Sequence, residues 1–129
     1  MADTFYNSTT TLTTGTHSTN WTGIWSASQA GNIRWTLVQN IVTLKIPTTT
    51  STANTAATIT NTVALPSSLR PTSQSYGLLR IVTGGADTTT PYLIGTGGTI
   101  TIYGTAALGN YLNSGVGGFY ATEITYSLA

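Results

Sequence analysis

Thirty of the 129 residues are threonine, a β-branched side chain that is stiff at χ1 and packs well on a pleated strand. Residues that favour helices are scarce, with one Lys, one Glu, three Gln and one Met. No stretch spaces apolar residues at three and four. The chain therefore folds as sheet or not at all. Disorder is excluded on composition, because disordered chains pair low hydrophobicity with high net charge, and here hydrophobic residues reach 40% with a net charge of +1. A chain of this length makes one domain.

Charged residues make up only 5% of the sequence, against about 25% in an average soluble domain. Lys45, Arg34, Arg70 and Arg80 are too few and too scattered to neutralise a phosphate backbone, so a nucleic-acid partner is not expected. A role at a membrane surface fails for the same reason. With no cysteine there is neither a disulfide frame nor a thiolate nucleophile or zinc ligand. The N-terminus shows no basic segment ahead of an apolar core, and no apolar run is long enough to span a bilayer. The expectation is a product made in a cytoplasm, without a signal peptide or membrane insertion.

Alternation of apolar and polar residues marks the strands. Residues 1–19 read as a Thr- and Ser-rich N-terminal arm or edge strand, and residues 20–129 as the body of the domain. Trp21 and Trp25 fall on one face of a strand over 20–28. Ile33, Trp35 and Leu37 share a face over 31–39. Gln39 and Asn40 then turn the chain into 41–46, where Val42, Leu44 and Ile46 alternate with Ile41, Thr43 and Lys45. Pro47 ends that strand, and the low-complexity run 48–58 reads as a loop. A weak strand over 57–64 leads to a proline-punctuated crossover from Leu65 to Pro71. The most apolar strand is 76–83. Residues 91–94 and 99–103 pair across Gly95-Thr96-Gly97-Gly98. A Gly- and Asn-rich loop fills 104–118, and a last strand covers 119–128. The pattern predicts a single-domain antiparallel β-sandwich of about eight or nine strands with jelly-roll or Greek-key connections.

Open sheet edges are usually blunted with charge, proline or bulges, and this chain has little charge available for that. Leu78 and Val82 oppose Leu79 and Ile81 on one strand, and Ile41 opposes Val42, Leu44 and Ile46 on another. One face fills the core, so the other needs a partner, and burial at about 25 cal/mol per Å² favours association. A homo-oligomer is expected, with Leu78, Val82 and Ile41 at its interface and Arg80 at the rim.

Several pieces recur in a known order: Ile41-Val42-Thr43-Leu44-Lys45-Ile46-Pro47, the loop 48–57, Ala64-Leu65-Pro66-Ser67-Ser68-Leu69-Arg70-Pro71, the hairpin 92–103, and Ile124-Thr125-Tyr126-Ser127-Leu128. In this the chain resembles, over residues 20–129, the small β-sandwich head domains that end phage and virus fibres and tail proteins. The resemblance implies a trimeric jelly-roll head that recognises a host surface or caps a particle. Fibre heads follow a shaft, and here only about twenty Thr-rich residues precede the domain, so a capsid or decoration protein is also compatible with the pattern.

Catalytic chemistry has almost no residues to draw on. His17 is the single histidine, and Asp3, Asp87 and Glu123 are the only carboxylates. No Gly-x-Ser-x-Gly turn exists for a serine triad, and two carboxylates for glycoside hydrolysis could meet only across subunits. An enzyme is not expected. Asp87 followed by three threonines is a single acid among hydroxyls and makes no calcium site. Gly95-Thr96-Gly97-Gly98 lacks the lysine and helix of a phosphate loop. No metal or cofactor is expected. Sugar binding needs aromatic platforms and neutral hydrogen-bonding groups. The tryptophans fall on core faces, so the candidates are loop residues: Tyr111 between Asn110 and Asn113, and Tyr92 near Asp87.

The functional expectation is a non-enzymatic viral or phage structural protein on the particle exterior. It would be a homotrimeric head, in contact with other virion proteins, that attaches to a host-surface glycan or receptor or decorates the particle. A free-standing lectin or carbohydrate-binding module is the alternative, and a shell-building capsid jelly roll is a third reading.

Overall fold

The computed structural model describes residues 11–128. Its elements are β1 (Leu12–His17), β2 (Asn20–Thr22), β3 (Gln29–Ala30), β4 (Ile33–Val38), β5 (Ile41–Ile46), β6 (Thr49–Thr52), β7 (Ile59–Asn61), β8 (Ser75–Thr83), β9 (Ala86–Ile94), β10 (Ile100–Ile102), β11 (Val116–Phe119) and β12 (Thr122–Ser127). A short 3-10 turn at Ser67–Leu69 interrupts the crossover before β8. The all-β, antiparallel sandwich expected from the alternation is what the chain forms.

Two sheets face each other, one of four strands in the order β1-β4-β5-β12 and one of eight in the order β3-β2-β7-β10-β9-β8-β11-β6. The ends of the larger sheet, β3 and β6, approach one another, so that it curls into a nearly closed barrel. Gly31 sits at that seam, where a β-carbon would meet the Trp21 indole and the Thr49 hydroxyl.

The core lies between the sheets. Ile33, Val42, Leu44, Ile46, Ile124 and Tyr126 enter from the smaller sheet, and Trp21, Ile59, Ile81, Ile94, Ile100 and Phe119 from the larger. The Trp21 and Phe119 rings meet edge to face with centroids 4.9 Å apart, the arrangement that ring quadrupoles favour. Burial leaves indole N–H groups needing acceptors. Trp21 donates to the Gly31 carbonyl at 2.9 Å and Trp25 to the Gly117 carbonyl at 3.1 Å. Both residues are core, as expected, although Trp25 reaches it from beyond the end of β2 and not from a shared strand face.

Among the described residues twelve strands replace the expected eight or nine. Residues 49–52, read as part of a loop, form β6 because Thr49–Thr52 pair with Val116–Phe119. The strand expected over 20–28 ends at Thr22, and Gly23 then takes φ +134°, which breaks the pleat. The last strand divides at Tyr120 and Ala121: β11 lies in the eight-stranded sheet, whereas β12 forms the edge of the four-stranded one. The β4–β5 hairpin turns at Gln39 and Asn40 as expected, with Gln39 in the left-handed region at φ +54°.

Candidate functional site

Alternation puts β8 and β9 side by side with their even-numbered and odd-numbered residues, respectively, facing outward: Leu78 opposite Pro91, Arg80 opposite Thr89, Val82 opposite Asp87. Leu78 is exposed and Ile41, on the other sheet, is exposed too. Val82 is 4% exposed, which differs from the free apolar face expected of it. Arg80, Asp87 and Tyr120 form a surface cluster. Arg80 and Asp87 make an ion pair, the Tyr120 hydroxyl donates to Asp87 Oδ1 at 2.6 Å, and the Arg80 guanidinium carbon stands 4.6 Å from the Tyr120 ring centroid.

The residues expected to bind sugar are not brought together. Tyr92 opposes Gly77 on the core face of β9 and is buried, while Asp87 lies outward near the β8–β9 tip. Tyr111 is 1% exposed. Its amide donates to the Ala57 carbonyl at 2.9 Å, which draws the loop residue under the surface. Burial pushes the hydroxyl of each tyrosine above its ordinary range, as desolvation disfavours phenolate. The expectation of two exposed stacking rings is corrected accordingly. Asn110 and Asn113 do remain exposed, at the end where the Leu112 amide donates to Thr83 Oγ1 at 2.9 Å and the Gly85 amide to the Val116 carbonyl at 3.0 Å.

Sequence reasoning missed a second surface. The outward residues of the four-stranded sheet fall into three rows running across it. Leu12, Val38, Ile41 and Ser127 form one, Thr14, Thr36, Thr43 and Thr125 the next, and Thr16, Arg34, Lys45 and Glu123 the third. In the middle row the Thr43 and Thr125 hydroxyls are 3.2 Å apart, within hydrogen-bonding range. Two hollows, of about 370 Å³ and about 450 Å³, open on this face, and Arg34 and Lys45 line both. Alternation in the sequence already placed these side chains outward; what could not be read from it was the register that sets the rows side by side.

Among the described residues no three His, Asp or Glu side chains cluster, and no helix is long and apolar enough to cross a membrane. His17 is buried and its Nε2 lies 2.9 Å from the Val63 carbonyl, a backbone contact that ties β1 to the loop after β7. Asp3 lies outside the described residues, as do Phe5 and Tyr6 of the N-terminal arm.

No family model matches the sequence. The structural protein V8 of Sputnik virophage is 36% identical over 121 residues, which cover 89% of this chain and 66% of that protein. Among solved structures, the reovirus attachment protein sigma1, crystallised with alpha-2,3-sialyllactose, superposes with a TM-score of 0.53 at 13% identity, over 90% of this chain and 66% of that one. The chain thus spans a little under two thirds of each, and the second likeness is one of fold. Together they make the chain a homologue of a virophage structural protein, built on a β-sandwich that a viral attachment protein shares.

Proposed function

We propose that the protein is a non-enzymatic component of the exterior of a virus particle, a homotrimeric fibre- or tail-type head that attaches the particle to a host-surface glycan or decorates it. The observation that carries this reading is the 36% identity to a virophage structural protein along 89% of the chain. The shared fold with an attachment protein crystallised with a sialylated sugar supports the attachment role. A surface rich in neutral hydroxyls suits a particle exterior, since few of its contacts depend on ionisation.

In this reading the glycan contact comes from the end that carries Asn110, Asn113 and Asp87. Tyr111, buried between the two asparagines, anchors that loop through its amide bond to the Ala57 carbonyl. Leu78, Arg80 and Ile41 mark the faces that copies of the chain cover, and other virion proteins hold the trimer in place.

Light scattering on the purified protein together with a glycan array tests both halves. A mass three times that of the subunit and glycan binding weakened by Asn113→Ala or Asp87→Ala are the expected results. A glycan-binding monomer would point instead to a free-standing carbohydrate-binding module, and a large closed shell to a capsid protein.

A further inference from the structure

Half of the chain's four basic residues stand side by side on the smaller sheet. Arg34 and Lys45 are direct cross-strand partners, and both are exposed. Like charges directly opposite one another destabilise a sheet pair. No carboxylate relieves them by an ion pair, for the salt bridge among the described residues is Arg80 with Asp87 on the other sheet. Glu123 follows Lys45 in the row without closing a bridge to it. In a sequence so sparing of charge, Arg34 thus stands beside a like charge, with Glu123 opposite Lys45 as the one acidic neighbour in the row.

The surroundings indicate what the pair would hold. Arg34 and Lys45 line both hollows, and the first hollow is completed by Thr14, Thr16, Thr36 and Thr43. Each hydroxyl donates one hydrogen bond and accepts others, so the threonine row offers a lattice of neutral partners beside Arg34 and Lys45, with Glu123 on the far side of Lys45 at the second hollow. A nucleic acid needs a longer track of cations than two. The first hollow sets four threonines beside the cations, whereas Ile46, Pro47 and Ala121 border the second; the threonine side favours a hydroxyl-rich ligand over an acidic peptide, which would need apolar pockets for its other side chains. A saccharide that carries an anionic group satisfies both halves at once.

We propose that the outer face of the four-stranded sheet is a binding site for an acidic saccharide, with Arg34 and Lys45 holding its carboxylate or sulfate and the Thr14–Thr36–Thr43–Thr125 row hydrogen-bonding its hydroxyls. This site is separate from the loop end invoked above, and its failure would leave that reading and the viral assignment untouched.

The test is calorimetric titration of the intact protein with three sugars sharing one body: sialyllactose, sulfated lactose and lactose. At least one acidic sugar should bind about tenfold or more tightly than lactose, and the comparison of the two identifies the anion preferred. Arg34→Gln and Lys45→Gln should each weaken the acidic sugar about tenfold, and added salt should weaken it further. Arg70→Gln removes the same charge outside both hollows and should leave binding unchanged. Because Arg34 and Lys45 are exposed, circular dichroism should show their variants folded. Equal binding of lactose, no binding of any of the three, or the same response to Arg70→Gln as to Arg34→Gln would overturn the proposal.

Discussion

Tyr120 donates its hydroxyl to Asp87 across 2.6 Å, joining the corner where the chain leaves β11 for β12 to the start of β9. Arg80 completes the arrangement by pairing with Asp87 and lying over the Tyr120 ring. Three strands' worth of backbone are thus referenced to one carboxylate on an exposed surface.

The Tyr120 hydroxyl, and after it Arg80, holds the Asp87 carboxyl below its ordinary value of 3.8. A depressed acid contributes its stability above the unfolded value and loses it as pH falls through the folded one. Tyr120 is shifted the other way, above 10.0, chiefly by Asp87, so its contribution is present below that value and is lost as pH rises through the raised one. Between these limits the cluster should leave Tm unaffected by pH. In Tyr120→Phe the Asp87 carboxyl, followed by carbon NMR, should titrate closer to 3.8; an unchanged titration would show that the hydroxyl is not its main partner.

Thr90 is fully buried opposite Leu79, and its Oγ1 has no hydrogen-bond partner. A buried hydroxyl without a partner costs its desolvation. Thr90→Val keeps the shape and should raise stability by about 1 kcal/mol, measured by urea denaturation. A loss of stability would mean that a water or a rotated hydroxyl satisfies the group.

Asn61 is a knot between strands. Its side-chain amide donates to the Val63 and Gly98 carbonyls at 2.9 and 3.2 Å, and its Oδ1 accepts from the Ile100 amide at 2.8 Å. Asn61→Ala leaves buried backbone groups unpaired and should cost about 3 kcal/mol, with faster amide exchange at Ile100 as its local signature.

Gly118 takes φ +150°, and a β-carbon there would run into the Thr49 carbonyl of β6. Gly118→Ala should cost roughly 1–3 kcal/mol from backbone conformation alone, and more from the parted β6–β11 pair. Gly97 has open space around it, so Gly97→Ala should fall within about 0.5 kcal/mol of the parent. Thermal melts of the two variants, compared side by side, check the contrast.

What the sequence made legible follows the strength of its alternation. In β5, Val42, Leu44 and Ile46 are buried while Ile41 and Lys45 are exposed, and β12 buries Ile124 and Tyr126 in the same rhythm. Thr49–Thr52 gave no such signal, because its strand character comes from the partner β11 and not from its own side chains. Tyr111 misled for a related reason: asparagine and glycine neighbours mark a loop, but burial of its ring follows from long-range hydrogen bonding that no local pattern encodes. The rows on the smaller sheet were hidden for want of register. Thr14, Thr36, Thr43 and Thr125 lie far apart in the chain and meet only once four strands are aligned.

The parting of the final strand between the two sheets also bears on biosynthesis. β11 completes its contacts with β6 and β8, and β12 with β5, across long spans of chain. A ribosome must therefore extrude residues 116–127 before either half of the molecule can be finished, and non-local closure of this kind is slow. Nascent copies would dwell with β6 unpaired and one edge of β5 open, which makes the interval after translation, more than the mature state, the period in which this chain is vulnerable to mispairing with its siblings.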